Sequence, residues 1–545
     1  MNINISKFDF KKESIAYLSK KKEFINWPIV YILESEKEAY IGETTSASRR
    51  INDHLENPIR EVFDRFFIIE HSQFNKSATL DIESKLIEYI SSDGKYTLQN
   101  NNRGLRNHNY YNKNYYRDLF EKIWDNLLEN DIASKSLRDI ENSDLFKYSP
   151  FKILTDDQAE IVDILEKRIK TEPRSINIVN GEPGSGKTIL AIYLIKYLIS
   201  DEKNKDLKIG IVLPQTSLRQ TVSKIFKSVK DLKVNMVLGP NDVVNNDDDF
   251  DVLVIDESHR LAQRKNLSSY VMFDNPCKKL GLDPTTSSQL DWVLMKSKHT
   301  ILLYDEKQSV KPSDVDKKAF DKLKSKAYKH TLTSQLRVLA GNQYSTYIDD
   351  IFRQKAINKI TFKEYDFLLF DNISELINKI KLFDNEIGLC RIVAGYAWEW
   401  KSKLDANEFD IIIQDQKLIW NSTVKDWINS TNAINEVGCI HTVQGYDLNY
   451  VGVIIGPEFT YENDSIKFYP ELYRDKYGKH KSLSEDDMKT YVINIYKTLM
   501  TRGIKGTYVF ACDNGLNQYL SRYINKFNMN QFFEAAEEEP TYNKS

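Results

Sequence analysis

One run constrains the fold more than any other feature: Ser175-Ile-Asn-Ile-Val179, then Asn180-Gly181-Glu-Pro-Gly184-Ser-Gly186-Lys187-Thr188, then Ile-Leu-Ala-Ile-Tyr-Leu-Ile. A strand, a glycine-rich loop and a long apolar helix in that order predict a phosphate-binding loop. Gly181, Gly184 and Gly186 let the backbone wrap with its N–H groups pointing inward, and the helix N-terminus adds positive potential. Lys187 then reaches the outer phosphates and the Thr188 hydroxyl holds magnesium, so a nucleoside triphosphate and Mg2+ are expected.

A chain of 545 residues is too long for one core, and about three or four domains are expected. No apolar run approaches the ~20 residues of a membrane span. The start, Met1-Asn-Ile-Asn-Ile-Ser6, lacks the apolar core of a signal peptide, so a cytoplasmic location is expected. Cys277, Cys390, Cys439 and Cys512 lie far apart with no C-x-x-C pair. They read as buried or incidental thiols, not as a zinc ribbon or a disulfide framework. A formal net charge of -3 excludes binding of nucleic acid by bulk attraction and leaves local clefts for it.

The pattern divides the chain into a small α+β unit over 1–105, a helical connector over 106–150, two α/β lobes over 151–340 and 341–525, and an acidic tail over 526–545. In the first unit, apolar runs at 29–33 and 39–42 flank a charged turn and read as a hairpin, with helices over 47–55 and 79–91. Residues 115–130 have helical spacing. From Thr155 onward, apolar strands at 208–213, 252–255, 300–304, 388–393, 451–455 and 507–511 alternate with amphipathic helices, which predicts parallel sheets covered by helices. The strand at 252–255 ends in Asp256-Glu257. An acidic pair there lies beside the phosphate loop, where Asp256 holds the magnesium shell and Glu257 orients and deprotonates the attacking water.

Further segments complete an ordered set: Leu154-Thr-Asp-Asp-Gln158, Pro214-Gln215-Thr216, Asp305-Glu-Lys-Gln308, Gln335-Leu-Arg337, Ile440-His441-Thr442-Val443-Gln444-Gly445-Tyr446-Asp447 and Leu499-Met-Thr501-Arg502-Gly503. With them, residues 148–520 resemble a superfamily 1 helicase core, and more narrowly the Schlafen-type (group three) helicase domain. The resemblance implies two RecA-like lobes. It implies that Gln158 reads adenine, that the Pro214 segment touches the nucleic-acid backbone and that Gln308 senses the γ-phosphate. It also implies that His441, Gln444 and Gly445 link nucleotide to strand, while Arg337 and Arg502 carry positive charge to the γ-phosphate, Arg502 as the arginine finger. Lobe closure would then control hydrolysis, because phosphoryl transfer is driven by positioning and charge.

The N-terminal unit carries a second constellation: Tyr31, Tyr40-Ile41-Gly42, Arg50 and His54 at i, i+4 on one helix face, Glu83 on a later helix, and Asn100. Asn101 and Asn102 compete with Asn100, and Arg49 with Arg50. This set resembles a GIY-YIG nuclease over 27–102, although Val30 stands where that family has its glycine-isoleucine lead. The resemblance implies that Glu83 holds one divalent metal, Mg2+ or alternatively Mn2+, and that Arg50 neutralises developing charge. A tyrosine would help activate water, and since a free tyrosine is a poor base at neutral pH, the metal, Arg50 or His54 would have to depress Tyr31. His54 could equally relay the proton.

The expectation is therefore an ATP-dependent helicase or translocase fused to a metal-dependent endonuclease, acting on nucleic acid, DNA before RNA, in bacterial defence against phage or in DNA repair. Two alternatives stand beside it: an ATP-gated nuclease that unwinds nothing, and a scaffold whose N-terminal unit grips without cutting.

Overall fold

The computed structural model describes residues 3–21, 24–101, 110–267, 269–305, 313–405, 407–423, 426–443, 446–475 and 484–528. Gln308, Gln444, Gly445, Asn102 and most of the acidic tail lie outside the described residues.

The first sheet is built from β1 (Asn4–Asp9), β2 (Ile25–Glu34), β3 (Glu38–Ser46), β4 (Arg65–Glu70) and β5 (Thr97–Leu98), in the order β1-β4-β2-β3-β5. Its pairs are antiparallel except β3 with β5. The apolar run on β2 is continuous because both faces are covered. Tyr31 and Leu33 pack with Ala47 and Ile51 of α2 (Ala47–Leu55) and with Leu18 of α1 (Lys12–Leu18), while Val30 and Ile32 join the core of α3 (Lys76–Asp93). The start of α3 is fixed by the Asn75 side chain, which accepts from Ala78 N–H, and its end by Gly94 at φ 78°. A helix over Lys113–Glu129, α4, buries Phe120, Ile123 and Trp124 against α3, and two short helices follow, α5 (Leu137–Asn142) and α6 (Asp144–Lys147).

The second sheet holds β6 (Ser175–Gly181), β7 (Ile209–Val212), β8 (Val237–Leu238), β9 (Phe250–Ile255), β10 (Ser297–Tyr304) and β11 (Tyr328–Leu332), in the order β11-β6-β10-β9-β7-β8. Every pair is parallel. Helices α7 (Asp156–Thr171), α8 (Lys187–Ile199) and α9 (Thr216–Ser228) pack beside it. The third sheet comprises β12 (Asp366–Leu369), β13 (Arg391–Ala394), β14 (Ile411–Ile413), β15 (Gln416–Trp420), β16 (Glu436–Gly438), β17 (Leu448–Ile455), β20 (Gly503–Ala511) and β21 (Asn525–Lys526), in the order β14-β15-β16-β13-β17-β20-β12-β21. It is parallel apart from the β14–β15 hairpin, and β18 (Phe459–Glu462) pairs with β19 (Ser465–Phe468) as a separate ribbon. The protein is thus mixed α/β with two parallel-strand sheets. Among the described residues no helix is long and apolar enough to cross a membrane. Cys277, Cys390 and Cys439 are buried and Cys512 is partly so, all as free thiols.

Candidate functional site

The loop between β6 and α8 owes its shape to its glycines. Gly184 (φ 88°) and Gly186 (φ 77°) occupy left-handed backbone, and a β-carbon at 184 would stand 2.0 Å from Gln335 Oε1. Lys187 Nζ folds back onto this loop, donating to the carbonyls of Gly181 (2.6 Å) and Glu182 (3.0 Å), and lies 3.6 Å from Asp305 Oδ2. Thr188 Oγ1 donates to Asp256 Oδ2 at 2.6 Å. The hydroxyl–carboxylate pair at the end of β9 offers the hard oxygen donors that magnesium takes, so these residues fit that ion. Burial first, then the adjacent Glu257 charge, raises the Asp256 carboxyl. Burial would also raise Glu257, but His259, Arg260 and Lys187 outweigh it and hold that carboxyl anionic, well below its usual range. Glu257 adopts left-handed backbone at φ 49°, a conformation costly for a residue with a side chain and often found where function fixes it.

The same cavity is closed from the third sheet. Its lining includes Gly184, Gly186, Lys187, Thr188 and Glu257, together with Arg337, Asp447 and Arg502. Arg502 is 2% exposed, and its Nη1 donates to the Tyr446 carbonyl at 3.3 Å. Burial, then the Arg337 charge, holds its guanidinium down to about 9, still protonated at neutral pH. Arg337 Nε donates to Asp447 Oδ1. Among the described residues, Ser185 Oγ and Arg502 Nε are buried without a hydrogen-bond partner.

Gln158 is fully buried, with Nε2 donating to the Ser185 carbonyl (3.0 Å) and Oε1 accepting from Thr155 N–H (3.2 Å). It braces the loop and caps α7. His441 sits on a one-turn helix, Ile440–Val443, after β16, 3.4 Å from Asp475 Oδ2. Gln335 Nε2 donates to the Pro183 carbonyl, and Asp157 accepts from Thr333 and Ser334 N–H, which pins the segment that carries Arg337 beside the loop.

Two cavity residues were missed in the sequence, Lys147 and Tyr148, from the connector. Lys147 Nζ donates to the Asp447 carbonyl at 2.9 Å, and Asn142 Nδ2 to that of Ile387 at 2.8 Å. On its other side the connector packs on α3, with Phe146 and Tyr89 ring centroids 4.7 Å apart and Lys152 2.6 Å from Glu88. No local pattern signals such contacts, because they exist only once three distant segments have folded together.

In the N-terminal unit the aromatic cluster does assemble. Tyr31 Oη shares a 2.8 Å hydrogen bond with His54 Nε2, and Arg50 Nε donates to the same oxygen at 3.1 Å. Tyr40 lies 6.3 Å from the Tyr31 ring and 4.9 Å from that of His54. Unselected in the sequence, Arg60 stacks on Tyr40 at 3.8 Å. Arg50 and His54 do not give Tyr31 the depression that a tyrosine base would need: burial first, then Tyr40, outweighs Arg50 and raises it. Asn100 spends both amide atoms on Ile41, accepting from its N–H (3.0 Å) and donating to its carbonyl (2.8 Å), so it ties down β3. Burial, then the nearby Glu43 charge, pushes the Glu83 carboxyl up to about 7. Two carboxylates held together in a half-buried position are the donor type a divalent cation takes. Among the described residues no cluster of three or more His, Cys, Asp or Glu could hold a metal.

Fold and cleft together show a cavity that a glycine-rich loop after β6 lines together with residues next to the third parallel-strand sheet. The chain belongs to the Schlafen group 3 DNA/RNA helicase domain family, whose model matches residues 174–513. The matched residues are accordingly a helicase-type domain of the ATPase/helicase class. The chain is similar to an uncharacterized protein of Saccharomyces cerevisiae, 27% identical over 393 residues, which cover 63% of this chain and 83% of that one. Among solved structures, Mss116p bound to ssRNA and AMP-PNP aligns with TM-score 0.31 and 14% identity over 73% of this chain and 76% of that one. The PRRSV helicase aligns with TM-score 0.28 and 11% identity over 66% of this chain, which spans 56% of that structure's length.

Proposed function

We propose that this protein is an ATP-driven helicase or translocase carrying a GIY-YIG-like, metal-dependent endonuclease at its N-terminus. The observation that carries the first half is the single cavity shared by Lys187, Thr188 and Glu257 with Arg337 and Arg502. Lys187 and the loop amides bind the phosphates, Glu257 takes the proton of the attacking water, and the two arginines stabilise charge on the transferred phosphoryl group. Thr188 and Asp256 would hold magnesium, which would supply charge neutralisation for the phosphates. Because the arginines come from outside the loop's own strand and helix, hydrolysis depends on how the lobes sit, and that dependence is the basis of movement along a strand.

The nuclease half rests on the Tyr31–His54–Arg50 cluster beside Glu83. Arg50 offers positive charge to a scissile phosphate, and the neutral His54 positions the Tyr31 hydroxyl through their hydrogen bond. Glu83 would hold the metal, which supplies Lewis acidity at the phosphate. DNA is the favoured polymer, and phage defence or DNA repair the favoured setting, both by analogy alone. One observation favours a second reading, the ATP-gated nuclease: the connector touches the nucleotide cavity through Lys147 and Tyr148 and packs on α3, the helix of Glu83.

Paired variants test both halves. Lys187→Ala is expected to abolish ATP hydrolysis stimulated by nucleic acid, and Glu83→Ala to abolish metal-dependent cleavage of labelled DNA and RNA while leaving hydrolysis intact. Parental hydrolysis in the first variant removes the motor, and parental cleavage in the second removes the nuclease.

A further inference from the structure

Beside the second sheet, away from the nucleotide cavity, lies a groove of about 670 Å³ between the segment after β9 and the helix Lys317–Lys324. Five cations line it, Arg264, Lys265, Lys318, Lys322 and Lys326, against two carboxylates, Asp291 and Asp316. In a chain with a net charge of -3, such a concentration of positive charge is a local departure.

The two carboxylates offset only part of it, and neither forms an ion pair with a groove lysine among the described residues, since both cap helix starts. Asp291 Oδ2 accepts from Ser288 N–H (2.7 Å) and its hydroxyl (2.9 Å), and Asp316 Oδ1 accepts from Lys318 N–H (2.9 Å). Arg264 is already committed to Asp274, bonded through Nε at 2.8 Å and Nη2 at 3.0 Å. Lys265, Lys318, Lys322 and Lys326 are exposed, and among the described residues no carboxylate forms an ion pair with them. Lys318 and Lys322 stand at i, i+4 on one helix face, about 6 Å apart along its axis, and Lys326 follows just past the helix end. A row of uncompensated cations along a groove suits a linear polyanion better than a single small anion.

Leucines, Val315 and Ala319 make the groove's apolar lining, and among the described residues no aromatic side chain lines it. It therefore lacks a surface on which bases could stack, and its charge would be read by phosphates alone. We propose that this groove is a nucleic-acid backbone track, a sequence-independent contact separate from the nucleotide cleft, in which Lys265, Lys318, Lys322 and Lys326 neutralise consecutive phosphates of one strand. The proposal rests on the helicase reading, which gives the protein a nucleic-acid partner.

The test is the salt dependence of binding of fluorescent single-stranded DNA and RNA to the full chain. The quadruple Lys→Ala variant at 265, 318, 322 and 326 is compared with the quadruple Lys→Arg variant. Four phosphate contacts contribute roughly 3 to the slope of log affinity against log salt for single strands. The Ala variant is expected to lose about that much slope and the Arg variant to keep it. ATP hydrolysis without nucleic acid stays parental in both, since none of the four lines the nucleotide cavity. An unchanged slope in the Ala variant of a protein that still binds overturns the track alone. Failure of the parent to bind either polymer overturns the track and the helicase reading together. Equal displacement of the strand by poly-glutamate would show that the groove reads charge rather than phosphodiester, and overturns it too.

Discussion

The nucleotide cleft and the N-terminal cluster assemble in different ways. Around Lys187, the parts come from β6, β9, the Gln335 segment, the turn before β17 and the end of the helix before β20, and buried groups such as Arg502 Nε have no hydrogen-bond partner among the described residues. Around Tyr31, every part comes from one small sheet and its helices, and the central hydroxyl already holds His54 and Arg50. An interlobe site changes with the distance between lobes, so its chemistry can be switched. A site within one core is set by burial, and there burial fixes the protonation states: Tyr31 neutral, His54 neutral, Glu83 raised.

The largest effect expected from this contrast lies in the cleft. Glu257→Gln keeps the shape of the side chain and removes the base, so hydrolysis should fall by about 10³, while binding of a non-hydrolysable ATP analogue stays within a few-fold. Steady-state ATPase rates and analogue titration check it, and a loss below tenfold would move the base elsewhere.

The smallest effect belongs to the N-terminal unit. Burial, then Arg50 and Arg60, holds the His54 imidazole down to about 4, against 6.5 for the ordinary group. Between these values the unfolded chain binds the extra proton, so this residue's contribution to stability falls as pH drops from 6.5 toward 4. His54→Gln should flatten that part of the profile. Thermal melts between neutral and acidic pH are expected to separate parent from variant by roughly a few degrees; parallel profiles would mean that His54 titrates freely.

The same contrast explains what the sequence disclosed. The loop at Gly181–Thr188 and the pair Asp256-Glu257 are legible because each is local: a short apolar strand delivers a few polar residues at its end, and the chemistry dictates their spacing. The strands β2, β7, β9, β10, β17 and β20 are legible for the same reason, as apolar runs. By contrast β11, Tyr-Lys-His-Thr-Leu, reads as a polar segment because it lies on the edge of its sheet, and β1 alternates weakly for the same reason. Even β4, Arg-Phe-Phe-Ile-Ile-Glu, is too short to separate strand from helix without its partners β1 and β2. Lys147, Tyr148 and Arg60 reach their sites only through tertiary packing. The raised Tyr31 is not legible for one reason: charge partners can be read from spacing, but the depth of burial that outweighs them cannot.

The central claim is that Arg502, from beyond the P-loop lobe, completes the nucleotide site. It is tested most directly by measuring analogue affinity and single-turnover ATP hydrolysis in Arg502→Ala beside the parent. The account predicts affinity within about tenfold and hydrolysis slower by 10³ or more, the scale of a lost arginine finger. Hydrolysis at the parental rate would contradict it.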